Sequence, residues 1–142
     1  MQLISHTIPE IVVRCKSMDR QPKADDQLKR VRKALWLIER GSVQRINNHW
    51  QVESESKRER TYTVSVDSCN CPDLALLCKH RWAGPGQEAA LLVAVIFDAQ
   101  SLMTIQYVLN RADLADVPDS IRRVATALIQ SRINNLKGGL SE

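Results

Sequence analysis

The feature that most limits how this chain can fold is residues 68–83, S-C-N-C-P-D-L-A-L-L-C-K-H-R-W-A, which holds three of the four cysteines and one of the three histidines. Cys69 and Cys71 are separated by one residue, six residues intervene, and Cys78 and His80 are again separated by one. Two pairs of soft ligands joined by a short loop are what a tetrahedral zinc site asks for. Extended backbone places residues i and i+2 on one face, so Cys69 and Cys71 can close on one ion from the end of a strand. Two residues of helix turn side chains about 200° apart, so Cys78 and His80 do not both sit inside a regular helix. The spacing therefore predicts Cys78 just before a helix and His80 in its first turn. Pro72 lacks an amide N–H and pushes Cys71 out of helical conformation, which predicts that the strand stops at the first ligand pair. The competing readings are ordinary buried cysteines or a disulfide, and Cys69 and Cys71 are poorly placed to bond each other. Four protein ligands leave no open coordination position, so the ion is expected to staple the fold and not to act in catalysis.

The layout C-x-C-x6-C-x-H resembles the SWIM zinc finger. The similarity includes the upstream run Tyr62-Thr63-Val64-Ser65-Val66, which looks like the strand leading into the first ligand pair, together with C-P-D and C-K-H at the two pairs. The resemblance covers roughly residues 43–83, under a third of the chain. It implies that Cys69, Cys71, Cys78 and His80 hold one structural zinc in a small ββα unit. The family occurs in helicase-like ATPases, mutator-type transposases and signalling proteins, where it is regarded as a DNA-binding or protein-binding module. One departure stands out. Family members usually continue the helix after C-x-H with aliphatic residues, whereas here Arg81-Trp82-Ala83 runs into Gly84-Pro85-Gly86. That turn signal predicts a short finger helix followed by a separate one.

Charge is unevenly spread along the chain. Residues 1–81 carry 15 Lys and Arg against 10 Asp and Glu, while residues 82–142 carry 5 against 6, within a net charge of +4. Three thiolates on one Zn²⁺ leave the site about one unit negative, and Lys79 and Arg81 stand where they can offset it. Aromatic residues make up only 4%, which argues against base-stacking platforms of the kind single-strand readers use. The longest apolar run, residues 89–97, is far short of a membrane span. Residues 1–13 lack a basic leading region and contain Pro9 and Glu10, so no signal peptide is read there. Reduced, metal-binding cysteines are expected in a cytoplasmic or nuclear compartment, not in a secreted protein.

Residues 1–24 are expected to form a separate N-terminal segment with a strand over 8–13, and Cys15 reads as a lone thiol. Asp25 or Asp26 is placed to cap a helix running to Arg40, with Gly41 as its stop. Leu28, Val31, Ala34, Leu35 and Ile38 share one arc of about 120° on that helix and predict its buried face. Lys29, Lys33, Trp36 and Arg40 line up on the other side, flanked by Arg30 and Arg32. This basic stripe reads either as a surface for nucleic-acid phosphates or as a solvated helix face. Trp36, being apolar on a polar side, is expected to be covered by something.

Strands are expected over 43–46, 49–53 and 61–66, with Asn47-Asn48 as a two-residue hairpin turn. Residues 54–60, S-E-S-K-R-E-R, read as an exposed loop tip in which Lys57, Arg58 and Arg60 form a second basic site diluted by Glu55 and Glu59. His49 reads as a surface histidine. After the finger, residues 87–99 read as a helix apolar on every side, either central to the core or buried in a partner, with a buried strand as the alternative. Residues 101–110 lean to helix. Pro118 is placed to open a last helix ending at Gly138-Gly139, whose apolar stripe needs a cover, either the preceding apolar helix or a second copy of the chain. Asp113, Asp116 and Asp119 read as turn and cap residues before they read as a cation cluster.

The whole reads as an α+β chain: a zinc-stabilised antiparallel sheet with a preceding basic amphipathic helix (residues 25–83), then a helical region (84–142). The expected function is non-catalytic binding of DNA or a nucleoprotein assembly through Lys29, Lys33, Arg40, Lys57, Arg58, Lys79 and Arg81, with little sequence preference. The alternative is a protein-interaction or dimerisation adaptor working through residues 87–136, in which zinc only holds the sheet. No nucleophile, base and orienter set is present to suggest an enzyme, and no membrane partner is expected.

Overall fold

The computed structural model describes residues 23–57, 59–73 and 75–140. The strand expected over 8–13, Cys15 and Arg58 lie outside these residues. The elements in order are α1 (Ala24–Glu39), β1 (Val43–Ile46), β2 (His49–Glu53), β3 (Thr61–Val64), α2 (Lys79–Ala83), α3 (Gln87–Asp98), α4 (Leu102–Arg111) and α5 (Asp119–Leu140). The chain is thus α+β, with one small three-stranded antiparallel sheet in the order β1-β2-β3.

Neither Asp25 nor Asp26 caps α1. The helix starts from Lys23, and both carboxylates sit in the first turn, where they complement its positive end. Gly41 stops it as expected, at φ +81°, with its N–H on the Ile38 carbonyl and the Ser42 N–H on the Leu37 carbonyl. The buried face is rotated from the expected one. Gln27, Val31, Ala34 and Leu37 are buried, while Leu28, Leu35 and Ile38 are half-buried, because α1 is packed by both α2 and α3.

The β1–β2 hairpin pairs Ile46 with His49 across Asn47-Asn48, and Asn47 takes the left-handed conformation (φ 55°) that such a turn needs. Alternation along β2 buries Trp50 and Val52 against the helices. β3 ends at Val64, two residues sooner than expected, because the chain turns there instead of running straight to the cysteines.

The finger helix α2 has only five residues, and Gly84-Pro85-Gly86 redirects the chain into α3. A Cβ on Gly86 would lie 2.9 Å from the Arg81 carbonyl oxygen and 3.1 Å from both Trp82 Cα and Ile121 Cγ2, so the two helices and α5 meet there closely enough to require glycine. α3 buries Ala89, Ala90, Leu92, Val93, Ala94 and Ile96. It packs against α1 and α5, so the last helix covers it within the same chain. The apolar composition of α3 exceeds what the core uses: Leu91 and Val95 are exposed. Ser101 caps α4, its hydroxyl accepting from the Thr104 N–H. α5 follows Pro118 and runs past Gly138, beyond the expected stop, to Leu140; a helical glycine costs only about 1 kcal/mol relative to alanine. One core cluster joins Val31 and Leu37 of α1, Trp50, Val52 and Val64 of the sheet, Trp82 of α2 and the aliphatic residues of α3 to α5. Among the described residues no helix is long and apolar enough to cross a membrane.

Candidate metal centre and the lysine surface beside it

After Val64 the chain reverses. Ser65 donates its N–H to the Ser68 carbonyl (2.9 Å), and the two hydroxyls are 2.7 Å apart. Cys69 then returns beside Val64 as an isolated bridge, held by the Asn70 side-chain oxygen, which accepts from the Thr63 N–H at 3.0 Å. The first ligand pair therefore stands on the returning limb of a turn, not at the end of the strand as the spacing predicted. The second pair is placed as expected: Cys78 is the extended residue preceding α2 and His80 lies in the first turn.

This brings one ligand atom each from Cys69, Cys71, Cys78 and His80 within 4.8 Å of one another. His80 Nδ1 lies 3.8 Å from Cys69 Sγ. Tetrahedral bonds of about 2.3 Å to sulfur and about 2.0 Å to nitrogen make ligand–ligand edges of roughly 3.5 to 3.8 Å, so the four atoms can hold one metal ion after a small contraction. An ion held through Nδ1 leaves the imidazole proton on Nε2, which is buried without a hydrogen-bond partner. The ring is instead faced by Tyr62, with centroids 4.6 Å apart and planes inclined by 38°.

The three thiols differ. The Cys78 thiol is held below the ordinary cysteine range, first by the hydrogen bond it receives from Cys69 and further by His80, against the opposing effect of burial. Cys69 is pushed up by donating that bond and by burial. Burial raises Cys71. A metal takes all three as thiolates and releases protons on binding.

The cluster is tied to the rest of the molecule by residues that sequence reasoning missed. Gln27 is buried in α1, donates to the Leu77 carbonyl (3.2 Å) and accepts from the Trp82 indole N–H (2.9 Å), so it bridges the residues flanking Cys78 and His80. Its signal in the sequence was a polar residue one helical turn before Val31 on the buried stripe. Arg30 makes a two-pronged ion pair with Asp73 (2.9 and 3.2 Å), which lies in the loop between the ligand pairs and also accepts from the Ala75 N–H. Each partner stabilises the charged form of the other: Asp73 is lowered and Arg30 raised.

Of the seven expected nucleic-acid contacts, Lys29, Lys33 and Lys79 share a concavity of about 750 Å³ that reaches His80, Cys71 and Pro72. Arg30 and the carboxylates of Asp26, Glu55 and Asp73 line the same concavity. Glu55 accepts from Lys33 (3.1 and 3.2 Å) and from Lys79, and these cations, Lys79 foremost, lower its pKa. The expectation that Glu55 merely dilutes a basic loop tip is therefore corrected: it leaves the tip and binds the lysines of two other elements.

Two arginines do other work. Arg40 lies over the Trp36 ring at 4.3 Å and donates to Ser42 Oγ and the Ser54 and Glu55 carbonyls, so it clamps the β2–β3 loop and supplies part of the cover Trp36 was expected to have. Trp36 remains 46% exposed. Arg81 does not line the concavity and donates to Ser120 Oγ at the start of α5 (2.8 Å). Lys57 is exposed on the loop. Asp113 accepts from the Ala115 N–H and Asp119 pairs with Arg122 and Arg123, so they serve a turn and a helix start.

A second surface lies on the helical part. Leu91 and Val95 of α3 and Met103 and Tyr107 of α4 are 40 to 82% exposed, and Leu91, Val95 and Tyr107 line a shallow groove of about 410 Å³.

No family model, curated protein or solved structure matches the chain.

Proposed function

We propose that the chain is a non-catalytic, zinc-stabilised module of the SWIM type that binds DNA or a nucleoprotein through its phosphates. Three cysteines and a histidine converging on one point favour zinc by ligand softness and by four-coordinate geometry. Four protein ligands leave no position for substrate or water, which supports a structural role for the ion.

The observation that carries the binding reading is that Lys29 and Lys33 of α1 and Lys79 of α2 meet on one concave surface beside the candidate metal ligands, although Lys33 and Lys79 lie 46 positions apart in the chain. Lysines are point charges suited to phosphate oxygens, and no base-reading constellation accompanies them, so sequence preference is weak. Three such contacts give a slope of about −3 in log affinity against log salt. Replacing Lys29 and Lys33 by Glu should abolish salt-dependent binding of a short DNA duplex in an anisotropy titration while leaving metal content and melting temperature unchanged. Undiminished binding by that variant removes this surface from the account.

A second reading is favoured by the exposed Leu91, Val95, Met103 and Tyr107. A contiguous apolar patch marks an association surface, and its occupant in this reading is a second copy of the chain, with zinc only holding the sheet. Sedimentation separates the two: a monomer with DNA affinity supports the first reading, and a tight dimer indifferent to polyanions supports the second.

A further inference from the structure

The concavity next to the metal centre is nearly balanced in charge, which is unexpected for a surface that takes polyanions. Asp73 is taken up by Arg30, and the carboxylate that pairs with the lysines is Glu55. Glu55 belongs to the β2–β3 loop, yet its carboxylate sits between Lys33 of α1 and Lys79 of α2, with its two oxygens satisfying both. Lys29 stands one helical turn before Lys33 in the same wall and is exposed. Like charges at that spacing repel, so an anion between them is favoured.

We propose that this is a phosphate-binding site which the Glu55 carboxylate occupies in the free protein, so that a phosphate-bearing ligand binds by displacing it. A carboxylate offers two oxygens and one charge; a phosphate offers more acceptor oxygens and serves Lys29, Lys33 and Lys79 together. The backbone at Glu55 need not move, because Arg40 holds the Ser54 and Glu55 carbonyls at 3.1 and 3.3 Å. Release is a rotation of the Glu55 side chain alone. Arg30 is not part of the exchange, since its two-pronged pair with Asp73 holds the loop between the ligand pairs. The assignment rests on the nucleic-acid reading above and deepens it, by naming an internal competitor at the same lysines.

The test compares the zinc-loaded full chain with its Glu55→Gln variant, using a short labelled DNA duplex as probe and inorganic pyrophosphate as competitor. Gln keeps the size of the side chain and removes the charge; Glu55→Ala serves as a second variant, and melting curves with metal content check that both are folded. Removing the competing carboxylate should tighten duplex binding at least about fivefold while the salt slope stays near about −3 in both forms, because the same three lysines reach phosphate in each, and pyrophosphate should displace the duplex. Equal affinities in wild type and both variants would overturn the displacement while leaving the nucleic-acid reading standing. Binding of pyrophosphate but not of duplex by the Gln variant would keep the phosphate site and remove the nucleic-acid reading. No binding of either probe by any form would end both.

Discussion

The two ends of this molecule solve the problem of staying folded in different ways. The sheet contributes only Trp50, Val52 and Val64 to the buried core, and a three-stranded sheet of four- and five-residue strands has too little apolar area to stand alone. Beside it, a buried glutamine and an ion pair tie the ligand loop and α2 to α1, and the four candidate ligands converge there. The helical end needs none of these. α3 and α5 bury a continuous aliphatic interface that includes Val93, Ile96, Ile121, Leu128 and Ile129, and apolar residues remain over on the outside. The two regions also leave different surfaces free: charged beside the ligand cluster, apolar on the helices.

The largest effect is expected at the ligands. Cys78→Ser, or a strong chelator at neutral pH, should cost about 5 kcal/mol or more, since apparent binding free energies of structural zinc run to about 10 kcal/mol and above. Near-ultraviolet circular dichroism from buried Trp82 should collapse while much of the helical far-ultraviolet signal persists. A metal-free protein retaining both signals would break the contrast between the two ends. Leu128→Ala should cost about 3 kcal/mol by leaving a cavity between α3 and α5, with metal stoichiometry unchanged at low denaturant. Loss of metal alongside stability would show that the two ends do not differ in what holds them.

Gln27→Leu probes the joint between them. It leaves the Trp82 indole N–H and the Leu77 carbonyl without partners, at about 2 kcal/mol in a urea midpoint measurement, and it should weaken metal retention against a chelator because both groups flank the ligands. An unchanged retention would make Gln27 a core residue only.

The smallest effect is expected from Asp73→Asn, below about 1 kcal/mol for a partly exposed pair. Its sign with pH is defined. Arg30 lowers Asp73 in the folded protein, so the pair's contribution is complete above the unfolded value of 3.8 and is lost as pH falls through the lower folded value. Relative to wild type, the variant should therefore be destabilised at neutral pH and converge with it in strong acid. A constant difference across that range would assign the effect to the loop geometry and not to the charge.

Much of the architecture was legible beforehand for local reasons. Asn47-Asn48 announces a hairpin, Gly41 a helix end, and the Cys78–His80 spacing a helix start, because turn dihedrals and helix periodicity depend on neighbours along the chain. The errors lie where a distant element intervened. Leu28 and Leu35 lost full burial to Gln27 and Leu37 because a second helix packs on α1. Arg40 reads as a free cation until Trp36 and the Ser54 carbonyl are seen around it.

By itself, the order of residues determined which four side chains can grip an ion, where the strands and most helices begin, and that the charge is concentrated before residue 82. Only the tertiary structure decided which of those charges remain available. Glu55 reaches Lys33 and Lys79 across 22 and 24 residues, and no pattern in the chain signals that meeting. Ligand spacing is read within one turn or strand, whereas a carboxylate chooses its cations by the distances that folding creates.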